Sequence, residues 1–116
     1  MDETAIRKAY NRLIVAKQNA HFAAILVAQA RTELKKAIAQ GLASGVITGK
    51  NADEREANAA LALPEQHKTN EDANRYEATA HLELDIAQIE VECLRMLMRA
   101  EELAVREPLP AVESPF

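Results

Sequence analysis

The apolar positions of this chain fall into two long runs with helical spacing, separated by a short segment that holds all three glycines. In the first run Ile6, Leu13, Ala20, Val27 and Leu34 recur every seven residues, with Tyr10, Ala24 and Ile38 interleaved and Lys17 and Arg31 interrupting. That is an imperfect heptad seam, and it predicts a helix over about 4–42 with Asp2 or Thr4 as its cap. At 1.5 Å per residue the helix is a rod of roughly 60 Å.

The second run is more regular. Leu82, Ile86, Ile89, Cys93, Met96, Ala100 and Leu103 keep the alternating four-three spacing, and so, independently, do Ala80, Leu84, Ala87, Val91, Leu94 and Met98. At about 100° per residue the two seams point roughly 150° apart. A helix in a two-helix hairpin buries one face against its partner, so the other seam needs a further partner. The first helix repeats the message, because Ile14, Val15, Phe22, Ile25 and Leu26 lie opposite its main seam. Left uncovered they form an exposed apolar patch.

Between the rods, Gly41 and Gly45 are expected to end the first helix, and Asn51 with Glu54 three residues later makes a capping-box-like start for a helix over about 51–63. Pro64 disfavours helix at Leu63 and suits the first turn of a new helix, which starts either there or at Thr69-Asn70, near residue 66, and runs to 106. The segment "REPLPAVESPF" cannot continue it, so residues 107–116 are expected to be a mobile tail. The expected fold is therefore all-α: one domain over 1–106, an antiparallel long-helix hairpin with a short connecting helix, assembling into an oligomeric helical bundle. The expected interface residues are Val15, Phe22 and Leu26 on the first helix and Leu84, Val91, Leu94 and Met98 on the last.

Composition supports helix and weakens the isolated hairpin. Of 116 residues twenty-three are Ala, and there is no Trp, two Tyr and two Phe, so the apolar share is made of small side chains with little area to bury. A small hairpin core of that kind is marginal, which again favours assembly. The net charge of −4 hides a division. Residues 1–50 hold eight Lys/Arg against three acidic residues, a net of +5, whereas the remainder holds six against fifteen, a net of −9. The charged first residues and the polar interruptions at Lys17, Gln18, Asn19 and His21 exclude a signal peptide and a membrane span. A single Cys93 in an apolar seam fits a reducing, cytoplasmic setting.

Candidate chemistry is sparse. "GVITGK" resembles the end of a phosphate-binding loop, but Gly45 and Gly49 enclose three residues where that loop needs four, Asn51 stands where Ser or Thr would hold magnesium, and a helix precedes it. Glu77, His81 and Asp85 share a helical face, yet bundle di-iron sites use Glu and His three apart on paired helices, and no second such motif occurs. Cys93 faces a seam and His81 a polar strip, so they do not form a nucleophile pair. Seven basic residues of the first helix scatter around its axis without an aromatic platform, which disfavours nucleic-acid binding. No enzyme, cofactor or metal is expected.

The run "GVITGKNADEREANAALAL" followed by "LELDIAQIEVECLRMLMR" resembles small helical-hairpin proteins of bacteriophages and prophages, over about residues 41–100. The resemblance implies an accessory protein of the infected or lysogenic bacterial cytoplasm, and it transfers no catalytic residues. The expected function is protein–protein interaction as a homo-oligomer, including inhibition of a host or defence factor. The alternatives are an oligomeric sponge for a small signalling nucleotide, with Lys50 and Arg55 as ligand or partner contacts, and an architectural nucleic-acid binder.

Overall fold

A computed structural model describes residues 2–106; the tail expected over 107–116 lies outside them. The described residues form three helices, α1 (Glu3–Ser44), α2 (Ala52–Ala62) and α3 (Pro64–Arg106). The shape is elongated, with a radius of gyration of 26.1 Å where a compact chain of this size has about 13 Å.

Each boundary has a local cause. Asp2 caps α1, its carboxylate accepting from the Thr4 amide at 3.0 Å, and Glu3 favours the positive helix start while pairing with Arg7 one turn on. Gly45 stops α1 by entering the left-handed region at φ 81°, from which its N–H donates to the Leu42 carbonyl. Gly41 does not end the helix as the sequence suggests. It clears space for Ile47, which folds back and is buried against it; a Cβ at 41 would lie 2.8 Å from Ile47 Cγ1.

Asn51 caps α2 through a 2.8 Å bond from the Glu54 amide. The Glu54 carboxylate returns the bond one residue early, to the Lys50 N–H at 3.4 Å, so the capping box is displaced from its usual register. Leu63 closes α2 and opens α3 together, since its N–H donates to the Ala59 carbonyl while its own carbonyl accepts from His67. Pro64 therefore occupies the first turn of α3, which settles the choice of start in favour of Pro64 over Thr69-Asn70.

α1 and α3 run antiparallel in contact along most of their length, whereas α2 touches α3 lightly. The α1 seam differs from the expected one. Ile6, Leu13, Val27 and Leu34 are partly or fully buried, but the positions completing the repeat are Ala9, Ala16, Ala23 and Ala30, each three residues further on and buried. Lys17, Ala24 and Arg31 are exposed. Alanine carries a weak hydrophobic signal, so the row that faces the partner was the less visible one.

The two seams of α3 are resolved by the same alanines. Ala80, Ala87 and Val91 are buried and Leu84, Leu94 and Met98 half-buried, so this row faces inward, and Ala20, Ala23 and Ala80 pack together with Leu84 beside them. Small residues opposite small residues let two helices approach closely; the Leu82, Ile86, Ile89 and Met96 row is too bulky for that and remains exposed. Toward the hinge the inward row continues as Gln66, Asn70, Ala73 and Glu77, all half-buried, so the seam turns polar.

Candidate interaction surface

Among the described residues, polar contacts bridge the helices on each side of the seam. Arg12 and Glu90 form a two-pronged contact, Nε to Oε2 at 3.1 Å and Nη2 to Oε1. Arg95 Nε donates to Tyr10 Oη at 3.1 Å, and the guanidinium carbon lies 6.0 Å from the ring centroid. The hydrogen bond to Tyr10 raises the Arg95 pKa further above its ordinary value, so Arg95 is a permanent cation. These contacts fix the register and distinguish the two broad faces of the hairpin.

The face marked by Arg12 and Glu90 is apolar along its centre. On α1 it carries Val15 and Phe22 with Leu26 at the seam edge; on α3 it carries Tyr76, Ile86 and Leu97. Phe22 is 54% exposed and Ile86 55%. Two shallow grooves run along this face between the helices. The first, about 460 Å³, is bounded by Val15, Ala16, Asn19, Glu83, Ile86 and Ala87, with the Arg12–Glu90 pair at one end. The second, about 580 Å³, lies nearer the hinge and is bounded by Leu26, Gln29 and Glu33 on α1 and by Glu65, Thr69, Asp72 and Tyr76 on α3. Ile25, Leu82, Ile89 and Met96 extend the apolar area around the outer edges.

The opposite face, marked by Tyr10 and Arg95, has a different composition. By the same heptad register it presents Lys17, Arg31 and Lys35 with Ile14 from α1, and His81, Asp85, Gln88 and Glu92 from α3, all exposed. The hairpin is thus a two-helix layer with a mainly polar face, on which Ile14 is exposed, and a face that carries more of the large exposed apolar side chains. Covering a half-exposed Leu, Ile or Phe is worth about 1 kcal/mol, so the apolar face holds several kcal/mol of unrealised burial.

The sequence-predicted interface residues divide accordingly. Val15 and Phe22 are exposed and Leu26 is half-buried on the apolar face. Leu84, Val91, Leu94 and Met98 lie on the inward seam, Val91 buried and the other three half-buried, with Leu84 packed against Ala20, Ala23 and Ala80. The α3 residues left outward are Ile86 and Leu97, with Leu82, Ile89 and Met96 at the edge. The spacing revealed both rows; it did not reveal which one α1 would select.

Lys50 and Arg55 sit at the hinge with separate local tasks. The Lys50 amide serves Glu54, while Arg55 donates from Nη1 to the Gly49 carbonyl at 3.4 Å. Gly49 is small because the Arg55 backbone passes over it, a Cβ there lying 2.6 Å from the Arg55 nitrogen. The backbone that would have to cradle a phosphate is occupied by the start of α2. Glu77 is half-buried toward the seam while His81 and Asp85 are exposed, so the three do not converge, and among the described residues no group of three or more His, Cys, Asp or Glu is arranged to hold a metal ion. No described helix is long and apolar enough to cross a membrane.

Comparison with protein-family models, curated proteins and solved structures finds no match to the chain.

Proposed function

We propose that this chain is a non-enzymatic interaction protein, working as a homo-oligomeric helical bundle that engages another protein. The observation that carries the reading is the uneven distribution of large exposed apolar side chains, with Val15, Phe22, Ile86 and Leu97 on one face and Ile14 on the other. A ligand-binding site is a concave pocket with a few convergent polar groups, whereas an interaction layer spreads apolar area over a broad face. The inward seam favours the same reading, since among its buried apolar residues Val27 and Val91 are the only ones larger than alanine. A hairpin held by so little burial gains stability from a further layer.

The likeness of "GVITGKNADEREANAALAL" and the helix after it to phage and prophage hairpin proteins frames the biological setting of the proposal: an accessory protein of the bacterial cytoplasm, directed at a host or defence factor. Of the two residues behind the nucleotide-sponge alternative, Arg55 donates from its guanidinium to the Gly49 carbonyl, whereas Lys50 contributes its backbone amide to the start of α2.

The test uses light scattering and affinity capture with the same variants. Wild-type protein is expected at a mass above the 12.8 kDa of one chain. Phe22→Glu is expected to lower that mass and to lose the co-purifying proteins that wild type retains. A monodisperse single-chain wild type would end the oligomer claim, and an identical set of captured proteins from both forms would remove this face from partner binding.

A further inference from the structure

We propose that the apolar face receives a second copy of this chain, laid face to face about a two-fold axis parallel to the helices, so that α1 of each copy packs on α3 of the other. This rests on the homo-oligomer reading above and specifies its geometry. Three observations carry it.

The first is register. The Arg12–Glu90 and Tyr10–Arg95 contacts set the level of each α1 residue against α3. They place Val15 level with Ile86 and Leu26 level with Tyr76, so the apolar stretch of α1 lies level with the hinge-side half of the α3 stretch, which continues beyond it to Leu97. A two-fold axis parallel to the helices preserves level. Val15 then meets Ile86 of the partner subunit, and every neighbouring helix pair in the four-helix bundle is antiparallel, the up-down arrangement in which such bundles pack.

The second is charge. α1 carries seven Lys/Arg against two acidic residues, and α3 carries five against ten. A face-to-face dimer has one competing two-fold, perpendicular to the helices, which would stack α1 on α1 and α3 on α3. That places like charges together along both contacts, whereas the parallel axis gives every α1 two acidic neighbours and every α3 two basic ones. Complementary charge decides orientation even where it adds little affinity.

The third is area. Val15 to Leu26 spans about 17 Å of α1 and Tyr76 to Leu97 about 30 Å of α3, and at roughly 10 Å of width per helix the strip measures on the order of 450 Å², shared between its apolar side chains and Asn19, Glu83 and Glu90. A standard interface buries about 800 Å² per partner, of which roughly 57–65% is apolar. The strip supplies much of the apolar core of one such interface, and its charged margins, Lys36 on α1 and Glu65 and Asp72 on α3 among them, supply the rim.

The experiment combines mass with cross-linking. In a Cys93→Ser background, which removes the chain's single thiol, Val15→Cys and Ile86→Cys are made separately, each checked for wild-type mass and helical content, and treated with a short bismaleimide alone and mixed. The expected result is a two-chain mass for the parent protein, a covalent two-chain species in the mixture, and its absence from either variant alone. A two-chain mass with Val15→Cys cross-linking to itself overturns the orientation while leaving the oligomer reading intact. A three-chain mass does the same. A single-chain mass overturns both.

Discussion

Between Ala9 and Ala23, α1 meets α3 through small side chains, whereas from Val27 onward the same helix meets Glu77, Ala73, Asn70 and Gln66. In the first region the small side chains are buried to 8% exposure or less, and Ala23, packed with Ala20 and Ala80, is fully covered. In the second, the α3 seam residues are only half-buried, and two buried side-chain atoms, His67 Nε2 and Asn70 Oδ1, have no hydrogen-bond partner. One helix pair therefore holds a close, directionless contact and a polar, incompletely satisfied one. Stability should be graded along the rod, with the hinge half opening first.

The largest expected effect comes from crowding the close region. Ala23→Leu should destabilise by about 2–3 kcal/mol, because an added isobutyl group between packed helices must push them apart. Ala73→Leu, in the looser region, should cost under about 1 kcal/mol. Urea unfolding followed by circular dichroism at one fixed protein concentration compares the two, and equal losses would break the distinction.

Asn70→Leu should act in the opposite direction, stabilising by about 1 kcal/mol as it replaces an unpartnered polar atom with apolar surface. The same unfolding assay reads it, and a loss of similar size would mean that Asn70 serves the seam. Gly45→Ala should cost about 1 kcal/mol, since φ 81° is strained for any residue with a Cβ. Its effect belongs to the hinge, so amide exchange should quicken around the end of α1 and remain unchanged near Ala20.

The smallest effect concerns the Arg12–Glu90 bridge. Both side chains are substantially exposed, so Glu90→Gln should cost only about 0.5 kcal/mol, and the difference from wild type should shrink further in 1 M salt. If the loss persisted in high salt, the bridge would be acting through packing and not through charge.

These contrasts separate what is local from what is mutual. The sequence by itself determined three helices and most of their limits, because caps, turns and periodicity are written in adjacent residues: Asp2 and Asn51 at helix starts, Gly45 at a stop, Pro64 at a first turn. It also determined that α3 has two apolar rows and that α1 has apolar residues to spare. Only the tertiary structure decided which row turns inward. That choice depends on how closely two helices can approach, and it fell to the alanine-bearing row, since Ala80 and Ala87 fit against Ala16, Ala20 and Ala23 where isoleucines could not. The apolar face followed as a remainder: Ile86 is outward because Ala87 is inward. A property of that kind belongs to the pair of helices, and a pattern along either one cannot contain it.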